Sequence, residues 1–162
     1  MKVVVSDTST VSNLLLIGKL SLLKDIYGQV IIPPAVFAEI MALKDLGHSI
    51  REFHESSWIE LSVPETGRIN HLLHYQLDRG EMEAIALCQT IQADLLIIDE
   101  KHGREVAREL GITTTGLLGT LIKAKEKGLI AEVRSIMDEL SEKTGFWINP
   151  ALYREILKIC NE

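Results

Sequence analysis

Two aspartates stand where apolar runs end, which is where an acidic side chain can do chemistry. Asp7 follows the run VVVS, and Asp99 follows LLII. A carboxylate at the tip of a buried strand caps the next helix, binds a metal ion, or does both. In an open parallel sheet the ligand site lies beyond the carboxyl ends of the strands, where the strand order reverses. The pair therefore predicts a shared anionic site at that edge, with helix capping as the alternative for each aspartate alone.

A third acid lies beside the apolar face of a helix that the motif PPAVFAEI opens. Proline is tolerated in the first turn of a helix, and Val36, Ile40 and Leu43 mark the apolar stripe by their spacing. Glu39 falls between Val36 and Leu43 on the helical wheel. An unpaired carboxylate near a core costs free energy or shifts its pKa. Glu39 therefore either meets a cation or stands at the margin of the stripe and reaches solvent.

Further acids occur in the stretch RGEMEAIALC and directly after Asp99. Glu81 and Glu83 stand in the first turns of a helix that is apolar on almost every side. Acids in a first turn also interact favourably with the helix dipole, which is a purely structural reason for their presence. Glu100 adds a second carboxylate at the end of the LLII run.

The composition is that of one globular domain of 162 residues, of which 46% are hydrophobic. The net charge of −6 excludes nucleic-acid binding through bulk electrostatics alone, so a polyanion would need a local basic rim or a bound cation. Cys88 and Cys160 lie in apolar helical contexts, which favours reduced core thiols. No apolar run is long enough to span a bilayer and no signal-peptide pattern is present, so we expect a cytoplasmic protein with no membrane segment.

The elements that must position these acids alternate along the chain. The predicted strands are Val3–Ser6, Val30–Ile32, Trp58–Ser62, Leu95–Ile98 and Ile112–Thr115. Predicted helices cover 11–16, 20–27, the segment after Pro34, 70–77, 80–92, 103–110, 117–127, 130–142 and 150–159. Strands that alternate with helices predict an α/β fold with a parallel sheet covered on both faces. The polar segment 47–57 is predicted as a loop or irregular helix.

The ordered acids, together with SDTSTVSNLLLIGKLSLL, LDRGEMEAIALC and GITTTGLLGTLIKAKEKGLI, resemble the PIN domain family. The similarity is closest to its prokaryotic toxin-like (VapC-type) branch and runs from Lys2 to about Lys127. It implies a three-layer fold with a parallel sheet of strand order 3-2-1-4-5, flanked by helices. We expect residues 1–127 to form a PIN-like nuclease domain and residues 128–162 to form a C-terminal helical extension packed on it.

The resemblance also implies a function: a Mg²⁺- or Mn²⁺-dependent endoribonuclease specific for single strands, the toxin of a toxin–antitoxin pair. Carried over residue by residue, the catalytic and metal-binding acids are Asp7, Glu39, Glu81 and Asp99. The fallbacks are Glu83 for the third acid and Glu100 for the fourth. Glu81 departs from a commoner aspartate, and His102 stands where some relatives have another acid. These departures support an alternative, a catalytically degenerate PIN-fold module for binding or regulation.

The sequence also offers candidates for partner contacts. The candidates for RNA contact are Thr8, Ser9, Lys101 and Arg104, with helix capping or a solvated surface as the alternative for each. The implied partners are an RNA substrate, a small antitoxin protein and a second copy of the chain. Phe146, Trp147 and Ile148 are candidates for packing, and the last helix is amphipathic. The C-terminal segment is therefore a lid over the sheet, a dimer interface or an antitoxin groove.

Overall fold

A computed structural model describes the whole chain, residues 1–162. Its five short strands form one parallel sheet in the order β3-β2-β1-β4-β5. The strands are Val4–Ser6 (β1), Val30–Ile32 (β2), Ile59–Leu61 (β3), Leu95–Ile97 (β4) and Thr114–Thr115 (β5). The predicted strand order is confirmed. The order reverses between β1 and β4, so the strands that precede Asp7 and Asp99 are neighbours.

Ten α-helices cover both faces of the sheet. They are Thr8–Leu16 (α1), Ser21–Tyr27 (α2), Pro34–Ala42 (α3), Arg51–His54 (α4), Thr66–Leu72 (α5), Arg79–Ile91 (α6), Lys101–Glu109 (α7), Leu117–Glu126 (α8), Arg134–Thr144 (α9) and Pro150–Ile159 (α10). Short 3₁₀ helices follow α3 at Leu43–Leu46 and α5 at Leu73–Tyr75. None of the helices combines the length and the apolar character that a bilayer crossing requires.

Alternate residues of the central strands face opposite helical layers, as the two-residue period of a strand dictates. Val4 and Ile97 belong to the larger of two core clusters, which includes buried residues of α1, α2, α3, α8, α9 and α10. Val5 and Leu96 belong to the smaller cluster, which is built with α6 and α7. The molecule therefore has three layers, and β1 lies in the middle of the central one.

The C-terminal helices contribute to the same core as the first strand. Met137 of α9 and Ile156 of α10 are buried in the cluster that contains Val4. The carboxylate of Glu162 accepts hydrogen bonds from the backbone N–H of Val133 (2.7 Å) and Arg134 (3.1 Å), which satisfies two free donors at the start of α9. In this core α9 contacts α1 and α10 contacts α8.

The less regular segments agree with one expectation and contradict another. The segment 47–57 contains the one-turn helix α4, which agrees with the irregular helix considered for it, and Phe53 is buried in the core there. The expectation that Trp147 packs is wrong, since 75% of its surface is exposed. Burial alternates along the non-helical segment between α9 and α10, so Phe146 and Ile148 contact the core while Trp147 faces solvent.

Candidate functional site

Asp7 lies at the carboxyl end of β1, in the N-cap position of α1. Its side chain makes no capping hydrogen bond to that helix, so the capping alternative is not used. The residue is only 6% exposed, which leaves an uncapped carboxylate in a nearly buried position. A buried carboxylate of this kind needs a hydrogen bond, a proton or a cation to compensate for lost solvation.

Asp7 and Glu39 both approach the first turn of α6 at Gly80. A Cβ placed on Gly80 would lie 3.2 Å from Asp7 Oδ1 and 2.9 Å from Glu39 Oε1, so only glycine admits both carboxylates there. The hydroxyl of Thr8 donates a hydrogen bond to Glu39 Oε2, which fixes the second acid against the start of α1. Glu39 is exposed as a residue, yet its carboxylate is held beside Asp7.

Burial and like charges raise the proton affinity of this region. Burial is the largest cause that raises the pKa of Asp7, to about 7, and the charges of Asp78, Glu81 and Glu39 add to it. The nearby backbone N–H of Thr8 lowers this pKa, although its geometry does not make a capping hydrogen bond. The carboxylates are therefore near enough to repel one another.

Glu81 and Glu83 have different surroundings, although they are only two residues apart. Glu81 forms a capping box with Asp78 at the start of α6: Glu81 N–H donates to Asp78 Oδ1 (2.7 Å), and Asp78 N–H donates to Glu81 Oε2 (3.2 Å). Burial again comes first among the causes that raise the pKa of Glu81, followed by the charge of Asp78; Glu100 raises it further. Glu81 thus shares the electrostatic environment of Asp7.

Both carboxylate oxygens of Glu83 accept hydrogen bonds from residues outside this group of acids. Its Oε1 accepts a hydrogen bond from the backbone N–H of Ala35 (3.0 Å), and its Oε2 accepts one from Arg79 Nε (3.0 Å). Only 6% of the residue is exposed. Since the Ala35 N–H is one of the free donors at the start of α3, Glu83 joins α6 to α3.

Asp99 lies at the end of β4 and faces the start of α8. Its Oδ1 accepts from the backbone N–H of Leu117 (2.7 Å), and its Oδ2 accepts from the hydroxyl of Thr10 (3.2 Å). Asp99 therefore accepts a hydrogen bond from the N-terminus of α8, the helix that follows β5. It does not cap α7, although α7 is the next helix in the chain. Glu100 occupies the N-cap position of α7 without a capping hydrogen bond, and its charge acts on Glu81.

We call Asp7, Glu39, Asp78, Glu81 and Glu100 the acid cluster. None of these acids takes part in an ion pair, so no lysine or arginine compensates their charge. As the side chains stand, no three Asp, Glu, His or Cys side chains converge closely enough to coordinate one ion. The donors are nevertheless all carboxylate oxygens, which Mg²⁺ and Mn²⁺ prefer, and their uncompensated charge fits a divalent cation.

Asp78 was not predicted as a site residue, although the sequence contains a signal for it. Residues 78–81 read DRGE, and an acid followed three residues later by glutamate is typical of a capping box. That motif places both side chains at one end of α6. Because Gly80 lies between them in the same turn, Asp78 and Glu81 both belong to the end of the helix that Asp7 approaches.

Two of the expected RNA-contacting residues lie at the start of α1. The hydroxyl of Thr8 donates its hydrogen bond to Glu39. Ser9 Oγ accepts a hydrogen bond from Asn13 Nδ2 (3.2 Å). Ser9 also borders a groove of about 770 Å³, together with Asp99 and Arg104.

The start of α7 carries the remaining basic candidates. Lys101 is exposed and lies 4.0 Å from Glu105 on the same helix. His102 contacts the carbonyl oxygen of Tyr75 through Nε2 (2.6 Å), which makes this nitrogen the proton donor. His102 therefore joins α7 to the turn after α5. It does not replace an acid in the cluster.

A family model described as a PIN domain matches residues 3–162. The chain belongs to the PIN domain family. The match extends through α9 and α10, beyond the segment whose sequence resemblance ends near residue 127. Membership in the PIN family indicates nuclease activity in general and the use of divalent metal ions. No curated protein matches the chain.

Proposed function

We propose that this PIN domain is a metal-dependent endoribonuclease that cleaves single-stranded RNA. The observation that carries the proposal is the acid cluster, which lies at the switch point of the sheet and has no basic partner. Buried like charges without a counterion destabilise the fold unless a proton or a cation compensates them. Such an arrangement is expected where a protein keeps carboxylates together for a bound cation.

In this proposal Asp7, Glu39 and Glu81 hold Mg²⁺ or Mn²⁺, with Asp99 as the fourth acid. Glu100 remains the fallback for the fourth position, as does Glu83 for the third. Thr8 orients Glu39 through its hydrogen bond, and the capping box fixes Glu81 at the start of α6. When bound, the cation supplies Lewis-acid activation of water and of the phosphodiester.

The proposed reaction is hydrolysis of one phosphodiester bond. The oxygen of a water molecule bonds to phosphorus and loses a proton, the bond from phosphorus to the leaving sugar oxygen breaks, and that oxygen takes up a proton, so that one water is consumed. Thr8, Ser9, Lys101 and Arg104 are the proposed contacts to the RNA. The position of Ser9 and Arg104 beside Asp99 supports this assignment. DNA remains an alternative substrate, because carboxylates do not by themselves distinguish the sugars.

The biological setting is also proposed from the sequence resemblance. We place the chain in the toxin-like (VapC-type) branch, as a homodimeric toxin restrained by a small antitoxin protein. The cytoplasm is the proposed compartment, which two buried cysteines without a disulfide support. We treat residues 1–127 as the nuclease unit and residues 128–162 as an extension of the same domain, which the shared core supports.

A cleavage assay tests the proposed chemistry directly. Purified protein is incubated with single-stranded RNA and Mg²⁺ or Mn²⁺, beside the variants Asp7→Asn and Glu39→Gln. Both variants should lose cleavage, since each removes a charged oxygen donor. Asp25→Asn and Glu142→Gln change exposed acids outside the cluster and serve as matched controls. Cleavage by the two cluster variants at the wild-type rate would overturn the site assignment.

A binding or regulatory module without catalysis is the second candidate. It is favoured by Asp99, whose two oxygens are both engaged in structural hydrogen bonds, and by the absence of three convergent donors. Calorimetric titration with Mn²⁺ separates the candidates. The proposed nuclease should bind the ion with an affinity that falls in Asp7→Asn, whereas a degenerate pocket should give no heat of binding that depends on Asp7.

A further inference from the structure

A groove of about 770 Å³ borders Glu100 of the acid cluster and the neighbouring Asp99. The rest of its lining comes from α1, α7, α8, α10 and the segment that joins α9 to α10. Its volume is within the usual range for ligand sites. The groove is thus continuous with the site at which the phosphodiester is proposed to react.

One wall of the groove carries positive charge without a partner. Arg104 and Arg108 stand one turn apart on α7 and both border the groove. Neither arginine is in an ion pair, whereas Lys101 on the same helix lies beside Glu105. In a chain of net charge −6, two unpaired arginines on one groove are a local concentration of positive charge.

Most of the remaining groove lining is apolar or aromatic. Trp147 borders the groove and is 75% exposed, and every other Phe, Trp and Tyr side chain is buried or half-buried. Leu152 and Ile159 of α10 are exposed large hydrophobic side chains on the same groove. Exposed apolar side chains gathered in this way mark an interaction site.

We propose that this groove binds the single-stranded RNA segment next to the scissile phosphate, with a base stacked on Trp147 and backbone phosphates on Arg104 and Arg108. Surfaces that bind single strands combine a cationic wall with aromatic stacking platforms, and both are present here. The identity of the occupant rests on the proposed nuclease function. Arg104 and Arg108 complement phosphate charge, and continuity with the acid cluster orients the strand towards it.

Three acidic side chains also border the groove, and their charges oppose the binding of phosphates. Asp99 is a proposed ligand of the divalent cation, and Glu100 is its fallback. Glu155 of α10 is the only other acid that borders the groove. Once a cation compensates the first two acids, the two arginines outnumber the remaining carboxylate. Binding is therefore measured in Ca²⁺, a hard cation with the same preference for oxygen donors.

The experiment follows the fluorescence of Trp147 as an RNA oligonucleotide binds. Trp58→Phe removes the other tryptophan, which is half-buried against the core, and leaves Trp147 as the only indole. The probe is a single-stranded RNA of about eight nucleotides, within the range of known single-strand sites. We expect saturable quenching in this background, because a stacked base contacts the indole directly.

Binding of a labelled copy of the same oligonucleotide then compares variants. Trp147→Ala should weaken binding about 5- to 100-fold without changing its dependence on salt, and Trp147→Phe should retain most of the affinity. Arg108→Ala should lower the slope of log K against log salt by about 0.7, the value for one phosphate contact on a single strand. Arg154→Ala changes an exposed arginine of α10 outside the groove and should leave affinity and slope unchanged.

The outcomes separate this inference from the nuclease proposal. RNA cleavage with unchanged oligonucleotide binding in Trp147→Ala and Arg108→Ala would overturn the groove assignment and leave the nuclease intact. The expected binding losses without any cleavage would support the groove and count against the nuclease. A dimer that dissociates in Trp147→Ala by light scattering, with RNA binding unchanged, would make the groove a self-association surface and overturn the inference.

Discussion

Glu39 and Gly80 stand so close that a Cβ on Gly80 would lie 2.9 Å from Glu39 Oε1. The atom that would have to move is the far end of a flexible side chain, so Gly80→Ala should displace the carboxylate and keep the fold. We expect the variant to lose Mn²⁺ affinity in calorimetry. Its free energy of unfolding should stay level or rise by up to about 1 kcal/mol, because alanine favours a helix over glycine.

Gly67 of α5 provides the matched control for this substitution. A Cβ placed there meets no atom within 4 Å, and the residue is helical. Gly67→Ala should therefore show the same gain from helix propensity with unchanged Mn²⁺ affinity. Equal metal affinity in the Gly80 and Gly67 variants would contradict the view that Glu39 reaches an ion beside Gly80.

The contribution of Asp7 to the stability of the metal-free protein should fall as pH rises from about 4 to 7. The pKa of Asp7 is raised from 3.8 to about 7, mainly by burial, so between these values the folded state binds more protons than the unfolded state. The contribution of Asp7 to the free energy of unfolding therefore falls between these two pH values. Asp7→Asn removes the titration and should be more stable than wild type at pH 8, by at most about 4 kcal/mol.

Urea unfolding in EDTA at pH 5 and pH 8 measures this difference. The advantage of Asp7→Asn should be larger at pH 8 than at pH 5, and Mn²⁺ should stabilise wild type at pH 8 because binding to the folded state adds to its stability. Asp25→Asn, an exposed acid of α2, is the control and should follow wild type at both pH values. A stability difference independent of pH would rule out the raised pKa as its cause.

Glu81 and Glu83 should give opposite results when each is changed. Glu83→Ala leaves the buried N–H of Ala35 without an acceptor and should lower the free energy of unfolding by about 1–3 kcal/mol. Its Mn²⁺ affinity should be close to wild type. Glu81→Gln keeps an oxygen for the capping box and should retain stability while Mn²⁺ affinity falls by at least about tenfold, the scale on which supporting residues of metal sites act.

Urea titration and Mn²⁺ calorimetry on both variants provide the measurements. Glu142→Gln, which changes an exposed glutamate of α9, should leave both quantities unchanged. A loss of metal affinity in Glu83→Ala with none in Glu81→Gln would reverse the assignment of the third acid.

Asp99 should contribute to stability through the start of α8. Asp99→Ala removes the acceptor for the Leu117 N–H (2.7 Å) and should lower the free energy of unfolding by about 1 kcal/mol, the usual scale for a lost cap. Asp99→Asn keeps one oxygen and should be closer to wild type. Urea unfolding distinguishes them, and equal stability of the two variants would show that the hydrogen bond contributes little.

The fold could be predicted because its signals are local. Apolar runs such as VVVS and LLII mark the strands, and helical periodicity marks the elements between them. Both strand-end aspartates lie where these runs predict an edge. The resemblance supplied the strand order, which makes β1 and β4 neighbours. The segment 47–57 was harder, because its one-turn helix depends on the burial of Phe53 and not on a repeating pattern.

The site was harder to predict because sequence does not specify the direction of a side chain. Asp99 stands at the expected strand end, yet its carboxylate turns to Leu117 and Thr10. Glu83 has the residue type expected of a ligand, but Ala35 and Arg79 engage both of its oxygens. These contacts join residues far apart in the chain, so only the packing of α6 on α3, and of α8 beside β4, determines them.

The position of β1 between two packed layers has a consequence for how the molecule adapts. Val4 is anchored in one core and Val5 in the other, so a displacement of the strand would have to disturb both at once. Asp7 follows directly on this strand, so its backbone position is held by the packing of both cores. Any accommodation to the proposed RNA strand must come from the periphery, above all from the solvent-facing indole of Trp147 between α9 and α10.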